Sequence, residues 1–120
     1  MSNVQYIDYF GSRKPVPSGY KVVSIARGGP VWFKGERMPE FSPNWETINL
    51  FKGGVISQDS FKNMYIEELS KHSEDIQNLV DDINSGGKYV FKCHCGPGKF
   101  CHRFVWKEFL ELIGIEVREL

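Results

Sequence analysis

The sequence predicts a single α/β domain in which helices cover a mostly parallel sheet, in a three-layer, Rossmann-like arrangement. Apolar, β-branched segments with the pattern of strands alternate along the chain with segments of helical periodicity. A chain of 120 residues is long enough for one hydrophobic core and too short for two. We therefore treat residues 1–120 as one domain.

Four segments are predicted to be strands, at residues 4–10, 20–26, 88–95 and 115–118. A period of two over 88–95 puts Cys93 and Cys95 on one side of the strand and His94 on the other. The aromatic, basic stretch from Val31 to Pro43 has no periodicity, and we expect a long ordered loop there.

Four segments have the apolar spacing of amphipathic helices. The first three lie between the strands 20–26 and 88–95 and begin near Asn44, Asp59 and Ser73. The fourth follows the Gly-Pro-Gly sequence at 96–98, carries apolar residues from Val105 to Ile113, and ends at Gly114.

Composition excludes several classes of protein. Fifteen basic and fifteen acidic residues give a formal charge of zero, so binding to duplex nucleic acid through phosphates is not expected. No apolar run approaches the roughly 18 residues of a membrane span, and the first ten residues lack the pattern of a secretory signal. The three cysteines, all within 93–101, do not form a disulfide framework. This count indicates a reducing, cytoplasmic setting and a reactive or metal site.

Two loops are candidates for a binding site. Ligands of parallel sheets bind beyond the carboxyl ends of the strands, and the segments 27–30 and 95–103 follow the two strongest strands. In the second segment Gly96 and Gly98 let backbone N–H groups approach a ligand, and a helix begins there. Positive charge comes from Lys99, His102 and Arg103. These features predict an anion site.

A thiol in such a field is more acidic than a free one, so Cys93 and Cys95 are candidate nucleophiles. The layout is similar to that of cysteine-dependent phosphatases, whose signature places five residues between the Cys and an Arg. Counting from Cys95, that position holds Cys101, which argues against phosphatase chemistry. The structural alternative is that Cys93 is a small core residue and Cys101 packs at the start of the helix.

Zinc is a further alternative. Soft ligands for a closed tetrahedral site would come from Cys93, Cys95, Cys101 and either His94 or His102. Structural zinc sites usually use two short ligand pairs separated in sequence, which this cluster does not have. The preferred interpretation therefore includes no resident metal or cofactor.

The aromatic loop supplies a second candidate component. Trp32, Phe33 and Trp45 lie close in sequence to Arg27 and Arg37, and such rings stack on planar groups such as a nucleobase. Phe33 and Trp45 are equally consistent with a hydrophobic lid over the edge of the sheet. A third interpretation is that this loop docks on a protein partner while the cysteine loop is structural.

The segment from Cys93 to Arg103, with Cys-His-Arg following the first Cys after seven residues, resembles the signature of the family named domain of unknown function 488. Similarity extends to residues 22–27, 41–43 and 61–69, whereas the Gly-Pro-Gly sequence departs from the more acidic loop of that family. The resemblance implies a compact α/β domain found in prokaryotes and their viruses. It also implies one site that contains Arg27, Cys93, Cys101, His102 and Arg103, without supplying an activity.

The leading hypothesis is a pocket for a phosphate-bearing small molecule, such as a nucleotide, which the protein acts on or sequesters. Cys93 or Cys95 is the candidate nucleophile. The candidate ligand-binding residues are Arg27, Trp32, Gly96, Gly98, Lys99, Cys101, His102 and Arg103.

Overall fold

A computed structural model describes residues 3–94 and 100–120. Within these residues the chain forms five strands: β1 (Gln5–Tyr9), β2 (Lys21–Ser24), β3 (Glu36–Arg37), β4 (Tyr89–Cys93) and β5 (Val117–Glu119). The described helices are α1 (Trp45–Lys52), α2 (Gln58–Ser70), α3 (Ser73–Asn84) and α4 (His102–Leu112), with a 3-10 turn at Pro39–Phe41.

The strands form one parallel sheet in the order β3-β2-β4-β1-β5. The central strand β4 places Phe91 beside both Ile7 of β1 and Val23 of β2. Because all strands run the same way, β1, β2 and β4 end at the same edge of the sheet. The predicted α/β class and parallel sheet are confirmed.

The hydrophobic core lies on one face of this sheet. Ile7, Val23 and Phe91 share a face through their register, and they belong to the same buried cluster as apolar residues of α2, α3 and α4. The connections from β3 to β4 and from β4 to β5 both cross the sheet in the same direction. Right-handed crossovers therefore put their helices on the same side. The finer expectation of Rossmann-like layering is not confirmed.

The opposite face carries a row of polar side chains across the middle strands. Asp8, Lys92 and Ser24 are in register, and the Asp8 carboxylate lies 3.7 Å from Nζ of Lys92. Loop residues pack beside this row: the ring of Phe10 contacts that of Phe33, with 5.1 Å between centroids. This face is therefore covered at least partly by connecting segments.

Local sequence signals account for some of the helix boundaries. Ser57 caps α2 by accepting a hydrogen bond from the Ser60 amide at 3.1 Å, and Asn44 is the N-cap residue of α1. The loop predicted for residues 31–43 contains β3 and the 3-10 turn, which are too short to produce a periodic pattern. None of the described helices is long and apolar enough to cross a lipid bilayer.

Candidate functional site

The end of β2 and the beginning of α4 meet at the carboxyl edge of the sheet. Nε2 of His102, in the first turn of α4, donates a hydrogen bond to the Ile25 carbonyl at 2.7 Å. The Ile25 amide in turn donates to the Lys92 carbonyl of β4 at 3.0 Å. A carbonyl oxygen only accepts, so this contact fixes the His102 tautomer with its proton on Nε2.

A cleft of about 220 Å³ opens at this edge. Its charged residues are Arg27 and Lys52, and none of the described residues that line it carries a carboxylate. Aromatic and aliphatic side chains form most of the wall, as is typical of small-molecule sites. The lining residues are Ala26, Arg27, Gly28, Trp45, Ile48, Phe51, Lys52, Phe61, His94, Phe100, Cys101 and His102.

Arg27 lies just beyond β2 and connects it to the start of α1. Its Nε donates to the Pro43 carbonyl at 3.1 Å, and one terminal nitrogen donates to the Ser42 carbonyl at 3.0 Å. Among the described residues the other terminal nitrogen, Nη1, has no hydrogen-bond partner. Arg27 therefore both holds the backbone next to the cleft and brings a cationic donor to it.

Glu68 of α2 fixes the α1 wall of the cleft. Its carboxylate accepts hydrogen bonds from the Asn44 amide at 2.6 Å and from Oγ1 of Thr47 at 2.9 Å. An acidic group at a helix N-terminus satisfies unpaired amides and interacts favourably with the helix dipole. Sequence reasoning missed this residue because the contact joins positions far apart in the chain.

Replacing Glu68 with Ala is expected to lower the free energy of unfolding by about 1–2 kcal/mol, the usual cost of losing a helix cap. Urea denaturation followed by circular dichroism measures the change. The matched control is Glu67→Ala, because Glu67 is exposed on the same helix. Equal stability of the Glu68 and Glu67 variants would contradict the assigned role.

Cys93 and Cys101 are joined by a disulfide that links the last residue of β4 to the N-cap residue of α4. Cys93 is 0% exposed, and Cys101 is 3% exposed. The odd cysteine count favoured a reactive or metal site over a disulfide, whereas the structure pairs two of the three cysteines. The end of β4 and the beginning of α4 lie side by side, which brings together two residues that are eight positions apart in the sequence.

His102 is neutral at physiological pH. Its pKa is lowered from the ordinary 6.5 to about 4, chiefly by burial. The hydrogen bond to Ile25 opposes this shift, and the nearby charge of Arg103 adds to it. Nδ1, the unprotonated nitrogen, lies 3.9 Å from Sγ of Cys101. The ring therefore presents a proton acceptor at the cleft, next to a sulfur.

Arg103 does not line the cleft, although the sequence places it in the anion site. It is 2% exposed and donates from Nη1 to Sγ of Cys93 at 3.4 Å. Its guanidinium also lies over the rings of Phe104, at 4.5 Å, and Tyr9, at 5.8 Å. The buried cation therefore contacts the Cys93 half of the disulfide and lies outside the cleft lining.

Other predicted residues are placed as follows. Trp32 is 60% exposed, packs edge-on against Phe10 and does not line the cleft, whereas Trp45 does. His94 lines the cleft, and its pKa is lowered by burial and by the nearby charges of Lys52 and Arg37. The remaining candidates lie outside the described residues; they are Cys95, Gly96, Gly98 and Lys99.

The zinc alternative stays a prediction. Cys93, Cys101 and His102 offer ligand atoms within 4.8 Å of one another, but the disulfide occupies both of these sulfurs. Sequence reasoning also missed Lys52, which comes to the cleft from the end of α1 and has no neighbouring motif. Only the packing of α1 beside the strand ends reveals it.

Comparison with known proteins identifies the family. The sequence profile of DUF488-N3a, described as the active DUF488-N3 subclade, matches residues 22–114. A search of curated proteins and a search of solved structures found no match. The matched region holds the Cys-His motif of the family resemblance, at Cys93, Cys101 and His102, and spans well over half of the chain. The chain therefore belongs to the DUF488 family, in its DUF488-N3a branch.

Proposed function

We propose that the cleft binds a phosphate-bearing small molecule with a planar ring, such as a nucleotide. The observation that carries this proposal is the composition of the lining. Two cationic side chains, Arg27 and Lys52, share a mostly apolar cleft that contains several aromatic rings and no carboxylate among its described residues. Such a site attracts an anion and offers rings on which a base stacks.

Trp45 is the ring best placed to stack on the ligand. It lines the cleft and is 55% exposed, so much of its side chain is available to a bound molecule. A Cβ at Gly28 would lie 3.3 Å from the Trp45 ring, so the absence of a side chain there lets the indole lie close to the backbone beyond β2. Trp45 thus takes the stacking role that the sequence assigned to Trp32.

Two features support action on the ligand in addition to binding. The matching family profile is described as active. In the cleft, Nδ1 of the neutral His102 is available to accept a proton from a bound molecule. A catalytic role predicts that a His102→Gln variant loses turnover while it retains ligand affinity.

Trp45→Ala is expected to weaken binding of a nucleoside monophosphate by about 1–3 kcal/mol, the usual contribution of one base–aromatic stack. Isothermal titration calorimetry with a panel of nucleoside monophosphates measures the affinity. Trp32→Ala is the matched control, because Trp32 has similar exposure and lies outside the cleft lining. It should bind like the unmodified protein.

The contribution of the phosphate group to ligand affinity is measured by titrating the protein separately with nucleosides and with inorganic phosphate. Lys52→Ala should weaken binding of the monophosphate and leave binding of the nucleoside unchanged. Lys71→Ala, an exposed lysine outside the cleft lining, provides the control for loss of charge. If no nucleotide binds, or if the Trp32 and Trp45 variants lose affinity equally, the proposed function is wrong.

A further inference from the structure

We propose that the Cys93–Cys101 disulfide is a redox-active site that exchanges with small thiols entering through the cleft. The bond joins β4 to α4 at the edge of the sheet where the cleft opens. Its two sulfurs have different surroundings. This difference decides which sulfur is attacked and which one leaves. The proposal does not depend on which ligand the cleft binds.

Cys101 borders the cleft although only 3% of the residue is exposed, so we assign its sulfur as the one that an incoming thiolate attacks. Cys101 lines the cleft, whereas Cys93 is 0% exposed and is not part of the lining. Thiol–disulfide exchange requires attack on one sulfur and departure of the other as a thiolate. Access therefore selects Sγ of Cys101 as the attacked atom and Cys93 as the leaving group.

Arg103 stabilises the leaving thiolate. Its Nη1 lies 3.4 Å from Sγ of Cys93, and the guanidinium is 2% exposed. A disulfide sulfur is neutral and a weak acceptor, but a thiolate in the same place gains a charge-assisted hydrogen bond. A neighbouring cation lowers the pKa of a thiol, and a thiol of lower pKa leaves faster.

Cys101 is suited to the second step of the exchange. As the N-cap residue of α4 it lies at the positive end of the helix dipole, which favours a thiolate there. Nδ1 of His102, 3.9 Å from its sulfur, is positioned to accept a hydrogen bond from Cys101 when that residue is a thiol. Both released sulfurs are thus next to groups that favour the reduced form.

The exchange balances with two equivalents of a small thiol. A thiolate RS⁻ attacks Sγ of Cys101, the protein S–S bond breaks, and its electron pair goes to Sγ of Cys93, leaving a mixed disulfide on Cys101. A second RS⁻ attacks the RS sulfur, forms RSSR and releases the Cys101 thiolate. Two small thiols are oxidised as one protein disulfide is reduced, and the reverse reaction uses a small disulfide such as glutathione disulfide.

Formation of the bond is tested in full-length Cys95→Ser protein, which retains only Cys93 and Cys101. After equilibration with excess glutathione disulfide, both thiols should disappear, and the tryptic peptides 93–99 and 100–103 should be cross-linked. Reduced glutathione should restore both thiols. If both thiols stay free in excess disulfide, the proposal is overturned.

Direction is tested with two single-thiol variants, Cys93→Ser/Cys95→Ser and Cys95→Ser/Cys101→Ser. In the folded variants, Cys101 should react with an aromatic disulfide reagent at least about tenfold faster than Cys93, since of the two only Cys101 borders the cleft. Equal rates would overturn the assigned direction. If either variant fails to fold, the attacked sulfur is identified by locating the glutathione mixed disulfide in the Cys95→Ser protein. Glutathione is expected on peptide 100–103 and not on peptide 93–99.

The positioning role of Arg103 has its own readout. Reduction of the disulfide by glutathione should be about tenfold slower in Arg103→Met, whose leaving thiolate has no cation beside it, and close to the original rate in Arg103→Lys. Thermal unfolding compares the stability of the two variants. Equal rates in both, with equal stability, would show that the charge has no part in the exchange.

Discussion

Replacing Trp106 with Ala is expected to lower the free energy of unfolding by about 3–5 kcal/mol, as for other large buried aromatic residues. Trp106 is 0% exposed and joins α4 to the sheet. Its ring stacks on that of Phe41 at 4.9 Å and meets that of Phe91 edge-on at 5.5 Å. Truncation would leave a cavity between rings that belong to three different parts of the chain.

Trp106→Phe provides the matched control. Among the described residues, Nε1 of Trp106 is buried without a hydrogen-bond partner, so Phe keeps an aromatic ring and removes an unsatisfied donor. The Phe variant should therefore lose much less stability than the Ala variant. Urea denaturation followed by circular dichroism compares the three proteins without relying on tryptophan fluorescence. A Trp106→Ala protein within about 1 kcal/mol of the original would contradict this account of the core.

Most of the secondary structure was predictable because it depends on local patterns. The stripe Phe61, Tyr65 and Leu69 has helical spacing, and all three side chains are buried in α2. Likewise, the apolar run before Arg27 produces β2. The parallel sheet followed from the alternation of such segments, which is itself a property of the linear sequence.

The layering was less predictable because it depends on the order of the strands. β1 connects to β2 through residues 10–20, without a helix among the described elements. Both helical connections run in the same direction across the sheet, so they share a face. Strand order is set by long-range pairing, such as that between Tyr6 and Val90, which no local pattern encodes.

The location of the candidate site was predictable, but the roles of its residues were not. His102 and Arg103 are adjacent in sequence, and both were placed in the anion site. On a helix with 3.6 residues per turn, neighbours point about 100° apart. Consequently His102 lies at the cleft, while Arg103 contacts Sγ of Cys93. The packing of α1 brings Lys52 and Trp45 into the lining, which does not include the predicted Arg103 and Trp32.

Lowering the pH from 6.5 towards 4 is expected to destabilise the protein through His102, by at most about 3 kcal/mol at 1.36 kcal/mol per pKa unit. The folded-state pKa of about 4 lies below the ordinary 6.5. The unfolded chain therefore binds a proton near pH 6.5, and the native protein does not until about pH 4. The stabilisation is complete above pH 6.5 and is lost as the pH falls through this window. The ring is partly open to the cleft, so solvent screening makes the effect smaller than this limit.

His102→Gln isolates this contribution, because glutamine retains an N–H donor for the Ile25 carbonyl and does not titrate. Urea denaturation at a series of pH values should show a smaller loss of stability between pH 6.5 and 4 in this variant than in the original protein. His94→Gln should keep most of the loss, since its ring is exposed and makes no comparable backbone hydrogen bond among the described residues. Carboxylates titrate in all three proteins, so the difference between the curves belongs to the histidine. Parallel curves for the original and His102→Gln proteins would mean that the imidazole at the start of α4 is protonated as readily in the native state as in the unfolded chain.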